Sequence, residues 1–183
     1  MKSIKELYKI GRGPSSSHTM GPEKAAKLFR QQYPTADKFL VTLYGSLAKT
    51  GKGHLTDKAI LDAFAPIPTE IIFNTEKTNL PHPNTLEFSA YTQDKKIGHL
   101  LVISIGGGVI SIPGQPDIET PHIYPHNSFA EIAAYCKEKH IRLSDYVEEY
   151  EGLEIWDYLT TIWQTMVQSI QKGLKTTGIL PGG

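Results

Sequence analysis

The sequence predicts an α/β (α+β) domain, a small mixed sheet with flanking helices, with a helical extension at its C-terminal end. Three observations lead to that reading. Helical patterns alternate with short β-rich runs as far as about residue 112. Beyond the proline-containing stretch that follows, only helical periodicity remains. The last of these patterns, Leu153 to Leu174, places Ile155, Leu159, Ile162, Trp163, Met166, Ile170 and Leu174 at spacings of three and four. That is an amphipathic helix of about six turns, long for a small domain. Residues 1–152 are therefore expected to form the domain, and 153–183 the long helix and the start of a linker.

Each element has its own signal. Ser3 to Ile10 reads as a short helix with Ser3 as N-cap. Gly13 and Pro14 are unsuited to the interior of a regular element, so the serines of GPSSSHTMGP fall on a loop. Thr19 or His18 can then cap a helix from about Met20 to Tyr33, ended by Pro34. Lys38 to Tyr44 alternates and is rich in β-formers, which makes it a strand. The glycines between Gly45 and Gly53 predict a loop, and Thr56 or Asp57 caps a helix through Ala65 before Pro66. Glu70 to Asn74 is a brief strand.

A polar turn, TNLPHPNT, leads to a hairpin of Leu86–Thr92 and Lys96–Ile105 joined at Gln93-Asp94-Lys95. Gly106-Gly107-Gly108 interrupts the second strand, which resumes over Val109–Ile112. Pro113 to Pro125 has no periodicity and reads as a loop or linker. Ser128 to His140 is a helix, with Asn127 or Ser128 capping and Glu131 placed to close a capping box. Ser144 caps another that runs to about Tyr150.

Composition excludes several classes. The 19 basic and 19 acidic residues balance, which argues against a nucleic-acid partner. The longest apolar run, roughly Leu100 to Ile105, is too short to cross a bilayer, and MKSIKELYKI has no secretory h-region. Neither a membrane partner nor export is expected. Cys136, the single cysteine, fits a reducing cytoplasm and supplies no Cys₃ or Cys₄ metal site. No HxH or HExxH pattern occurs, and the one HxxxH spacing, His122 and His126, falls at the proline-containing loop rather than on a helical pattern, so no metal ligand set is assigned to this chain.

Four segments can carry chemistry. In GPSSSHTMGP, hydroxyls and a titratable imidazole precede a helix, a setting that favours an anion such as a carboxylate or phosphate. A helix-capping serine turn explains the same residues, while a nucleophilic serine lacks the GxSxG elbow. His18 suits acid–base work because its ordinary pKa is near neutral. YGSLAKTGKGHLTD delivers His54 to a helix entrance past three glycines that allow close backbone approach. A phosphate loop is not formed, because Gly51-Lys52 is followed by Gly53 rather than Ser or Thr. In SIGGGVI, a triple glycine within an apolar strand marks a bulge or a close approach by ligand or backbone. His82, between two prolines in LPHPNT, reads as part of a surface turn. His99, His122, His126 and His140 read as surface or core residues, and Cys136 as a buried inert thiol.

In this order, GPSSSHTMGP, YGSLAKTGKGHLTD, LPHPNT and SIGGGVI resemble the β, or N-terminal, domain of the bacterial iron–sulfur L-serine dehydratases. TTGILPGG is similar to the junction that leads there into a catalytic α domain. The resemblance implies an L-serine ammonia-lyase whose 4Fe–4S cluster is bound by that α domain, with none expected on this chain. It implies an iron that polarises the substrate, and histidines His18 and His54 that face the cluster as acid–base groups. It implies Ser15, Ser16, Ser17, Thr19, Gly106 and Gly107 as substrate-binding residues, and L-serine, the α domain and further copies of the chain as partners. The fold implied is similar to the allosteric substrate-binding domain of phosphoglycerate dehydrogenase. A serine-binding regulatory or assembly module without catalytic residues of its own is the alternative.

Overall fold

The computed structural model describes residues 1–116 and 120–179. The described residues of 11–117 pack as one unit, and those of 1–10 and 118–178 as another. Leu153, the expected start of an extension, lies inside the second unit. The expected linker reading of Pro113 to Pro125 falls partly on residues 117–119, and the TTGILPGG junction partly on 180–183, both outside the described residues.

The first unit is built on β1 (Lys38–Tyr44), where alternation sends Phe39, Val41 and Leu43 to one face, all fully buried. On one side β1 pairs in parallel with β2 (Thr69–Asn74). On the other it pairs antiparallel with β3 (Thr85–Thr92), which pairs with β4 (Lys95–Gly106), which pairs with β5 (Val109–Ser111). The order β2-β1-β3-β4-β5 confirms a mixed α/β fold, its one parallel pair created by a helical crossover. Gln93 and Asp94 turn β3 into β4, both at positive φ (49° and 60°). A register shift at Ala90/Tyr91 adds a bulge to that pair.

Helices cover the apolar face. Residues Gly21–Gln32 form α1, which buries Ala25, Ala26 and Phe29 and stops before Pro34. Thr56–Phe64 form α3, which buries Ala59, Ile60, Ala63 and Phe64. Between them in sequence, Gly45–Thr50 form a short α2. Four phenylalanines from different elements close the core. Phe39 stacks on Phe64 at 4.1 Å between centroids, and Phe88 lies 5.4 Å from Phe29 and 5.9 Å from Phe64.

Several expectations change here. The Gly45–Gly53 loop is half helix, because Leu47 and Ala48 bury into the core and override the glycines around them. The serine loop is a π-helical turn, Ser16–Met20, running straight into α1. Its N-cap is Ser15, whose hydroxyl accepts from the His18 N–H; His18 and Thr19 lie inside the turn. Neither Thr56 nor Asp57 caps α3; Leu55, in the left-handed region at φ 56°, does. The triple glycine does not interrupt a continuing strand. Gly106, Gly107 and Gly108 (φ +112°, +57° and +69°) reverse the chain into the β4–β5 hairpin.

In the second unit, Phe129–Lys139, Leu143–Glu151 and Ile155–Lys175 form α4, α5 and α6. Ser128 and Glu131 make the expected capping box on α4. The cap of α5 is Arg142 rather than Ser144, with Asp145 accepting from the Arg142 N–H at 2.9 Å. The N-terminal helix shrinks to a 3₁₀ turn, Ile4–Glu6, still capped by Ser3. It is held by Glu151, which accepts from Ser3 Oγ, the Ile4 N–H and Tyr124 Oη at 2.7–2.8 Å. Tyr124, Ile132 and Tyr146 form the buried centre of this unit. Along α6, only Ile155 and Ile162 of the apolar stripe are buried, while Trp163, Met166, Ile170 and Leu174 of the same stripe are exposed. Cys136 is only half-buried. No helix is long and apolar enough to cross a membrane among the described residues.

The phenylalanine cluster should dominate the stability of the sheet unit. Truncating Phe88 to Ala is expected to cost about 3–5 kcal/mol. Denaturant-dependent hydrogen exchange of the β1 and β3 amides measures this directly; a loss below about 1 kcal/mol would contradict the packing.

Candidate functional site

The elements that shape the site converge at one end of the sheet. His18 arrives on the π-helical turn, held by three backbone attachments. Ser15 accepts its N–H at 3.1 Å, and Ser104, fully buried near the end of β4, donates to the neighbouring Ser17 carbonyl at 2.7 Å. Thr56, fully buried at the start of α3, donates to the His18 carbonyl at 2.5 Å. His54 arrives on the turn before α3, and the fully buried Thr19 donates to its carbonyl at 2.8 Å. A threonine next to each histidine thus ties down the backbone of the other. The two rings lie 4.7 Å apart between centroids, tilted by 35°.

The ring nitrogens are not equivalent. His54 Nδ1 lies 2.9 Å from the Thr50 carbonyl oxygen. A carbonyl only accepts, so Nδ1 carries the proton and the lone pair of neutral His54 is on Nε2. His18 Nδ1 is 3.0 Å from Ser17 Oγ, and its Nε2 is 2.9 Å from Ser46 Oγ. Burial, reinforced by the nearby His54 charge, pushes His18 below the usual histidine value of 6.5. His18 is accordingly neutral at pH 7.

Ser46 and Thr50 come from α2, whose entry is fixed by Gly45. At φ +51° Gly45 lies in the left-handed region, and a Cβ there would collide with the Pro83 carbonyl. That carbonyl accepts from the Ser46 N–H at 2.8 Å. The TNLPHPNT segment therefore supports the site through backbone. His82 serves the turn itself: its Nδ1 accepts from the Asn84 N–H at 2.9 Å.

The serine-loop residues divide sharply. Thr19 is fully buried, its hydroxyl spent on the His54 carbonyl and the Ser15 N–H. Ser15 is a cap and Ser17 faces His18, while Ser16 is exposed. At Gly106 and Gly107 a Cβ would meet no atom of the chain within 4 Å, so the hairpin's positive φ angles, not close approach by backbone, require these glycines within the fold. Gly108, by contrast, packs on Met20. The sequence did not point to Ser46, Thr50 or Ser104 as site residues, and it offered Thr56 only as a helix cap. All four lie inside or beside the quoted motifs, but only the fold turns them toward the histidines. His99 also gains a partner, Glu87, at 2.5 Å, and His126 lies 3.0 Å from Tyr146 Oη.

The donor set of this chain does not fit an iron–sulfur cluster, which is held by several cysteine thiolates. Cys136 is the single cysteine, and among the described residues no three His, Cys, Asp or Glu side chains come together.

Acidification should expose the lowered affinity of His18 for protons. Below pH 6.5 the unfolded chain takes up a proton at this position that the folded one refuses. The stability contributed by neutral His18 is therefore present above 6.5 and lost as pH falls through the folded value. An NMR titration of the ring is expected to give a midpoint below 6.5. In His54→Gln the midpoint should rise but stay below 6.5, because burial is the larger cause. A midpoint at or above 6.5 in the unsubstituted chain would refute the assignment.

Comparison with known proteins places this geometry in context. Residues 3–66 match the family described as serine dehydratase beta chain. L-serine dehydratase 2 and L-serine dehydratase 1 of Escherichia coli (strain K12) are 32% and 33% identical to the chain over alignments of 234 positions. Each alignment covers 100% of this chain and 51% of the relative. L-serine dehydratase of Helicobacter pylori (strain J99 / ATCC 700824) is 43% identical over 84 residues, 44% of this chain and 18% of its own length. The chain spans about half the length of the curated relatives it matches end to end.

Proposed function

Because this chain belongs to the serine dehydratase beta chain family, we propose that it is the β part of an L-serine ammonia-lyase and supplies that enzyme's acid–base histidines. The reaction removes the Cα proton and the β-hydroxyl of L-serine as water and leaves aminoacrylate. Tautomerisation to the imine and hydrolysis return the water and release pyruvate and ammonia. Both bond cleavages need help: the Cα proton is weakly acidic and hydroxide is a poor leaving group.

The observation that carries the reading is the bond from His54 Nδ1 to the Thr50 carbonyl beside a second, neutral imidazole. It leaves Nε2 of His54 as a lone-pair nitrogen with no hydrogen-bond partner among the described residues. In this reading His54 is the base that takes the Cα proton. His18, with a serine hydroxyl at each ring nitrogen, is the clamp that orients the substrate. Of the serine loop, the exposed Ser16 is the hydroxyl assigned to the substrate carboxylate. The cluster is assigned to an α domain outside this chain, in keeping with a donor set here that does not fit it. The protein is read as cytoplasmic, and as homo-oligomeric once assembled.

In the assembled enzyme, His54→Ala and His18→Ala should each lower turnover by about two to four orders of magnitude. Rates are to be normalised to measured iron content, so that cluster loss is separated from loss of the imidazole. Near-normal turnover with full iron loading would sink the assignment. The regulatory alternative makes a different demand: saturable binding of L-serine to this chain alone, in a calorimetric titration, together with full activity of both histidine variants.

A further inference from the structure

A cleft of about 460 Å³ opens on the side of α2, lined among others by Ser46, Lys49, Thr50, Thr75, Lys77 and Thr78. Its size is that of a metabolite site. Its lining carries two ammonium groups and four hydroxyls beside Gly45, Leu80 and Pro83, with the Thr50 proton already given to the Ser46 carbonyl. Neither lysine is in an ion pair among the described residues. Lys77 lies 4.7 Å over the Tyr44 ring, whose hydroxyl donates to Glu87, so one carboxylate stands near one of the two charges. Lys49 is paired with no carboxylate among the described residues. Lysine offers a compact charge rather than a planar fork, which suits a small tetrahedral or carboxylate anion.

Two lining residues also hold the histidine pair. Ser46 Oγ contacts His18 Nε2 at 2.9 Å, and the Thr50 carbonyl holds His54 Nδ1 at 2.9 Å. Thr50 Oγ1 donates in turn to the Ser46 carbonyl at 2.9 Å, so the two residues move as one turn. We propose that this cleft binds a small anion, carboxylate or phosphate, and that Ser46 reports its occupancy to His18. The coupling follows from counting protons. A serine hydroxyl has one proton to give, and an anion can only accept it. With that proton on the anion, Ser46 can only accept from His18, which fixes His18 as the Nε2–H form. The inference is independent of the catalytic roles assigned above, because it concerns binding and tautomer rather than turnover.

The test titrates the full chain with inorganic phosphate and, separately, with acetate, at constant ionic strength set by chloride. Calorimetry reads binding, and long-range proton–nitrogen NMR reads the His18 ring. Saturable binding of at least one anion is expected, with His18 Nε2 moving to the protonated type; which anion saturates identifies the ligand chemistry. The surface double substitution Lys49→Gln, Lys77→Gln should weaken binding by about tenfold or more, the loss of charge-assisted contacts. Ser46→Ala should retain binding and abolish the His18 response. Saturation by neither anion, equal affinity in the lysine variant, or a His18 response that survives in Ser46→Ala would each overturn the proposal.

Discussion

The site depends on a pair of crossed hydrogen bonds, Thr19 to the His54 carbonyl and Thr56 to the His18 carbonyl. Each is worth only about 1 kcal/mol net, yet breaking either takes a donor from a half-buried carbonyl. The two bonds join segments 35 and 38 residues apart in sequence, so neither histidine can shift without the other. Imidazoles separated by 4.7 Å need that restraint, since rotamer freedom in either would dissolve the pair. The threonines are themselves fixed from below. Thr56 opens α3, whose Ile60 and Phe64 are fully buried, and Thr19 precedes α1, whose Phe29 is fully buried. The phenylalanine cluster under the sheet therefore sets the distance between two ring systems it never touches.

What was legible in the sequence follows from where the signal is local. Lys38–Tyr44 was readable as a strand because alternation and burial coincide there, and the same holds for the hairpin around Gln93-Asp94. His18 and His54 stood out because their motifs gather chemically competent residues into a few positions. Elements decided by tertiary contact were not readable. Gly45, Gly51 and Gly53 look like a loop, and only the burial of Leu47 and Ala48 makes α2 a helix. Three glycines announce permissive backbone without saying which way the chain turns, so the β4–β5 hairpin read as an interrupted strand. Ser46 and Ser104 are ordinary serines until the sheet carries one to His18 Nε2 and the other to the Ser17 carbonyl. A hydroxyl's role is set by what it faces.

The local conformations obey the same rule. A π-helical turn leading into α1 is rarer than a plain α-helical start and often accompanies a functional position. Here it has a visible consequence. The Ser15 cap accepts the His18 N–H, and the turn leaves the His18 side chain between Ser17 and Ser46. Gly21, the first residue of α1, shows how tight this junction is, since a Cβ there would strike Ser104 Oγ. Ser104 can brace the Ser17 carbonyl only because the residue opposite, Gly21, has no side chain.

Electrostatics completes the picture. A positive charge on one imidazole disfavours a second on a ring this close. Burial, with the nearby His54, holds His18 below the usual histidine value, while the lone pair of His54 is directed by its bond to Thr50. The pair is thus asymmetric, and the asymmetry comes from one short turn. Ser46 and Thr50, four residues apart on α2, each hold one histidine, and the Thr50 hydroxyl closes back on the Ser46 carbonyl. A displacement of that turn changes the surroundings of both rings together. Both rings are therefore held from α2, a six-residue helix fixed at its entrance by Gly45 and the Pro83 carbonyl.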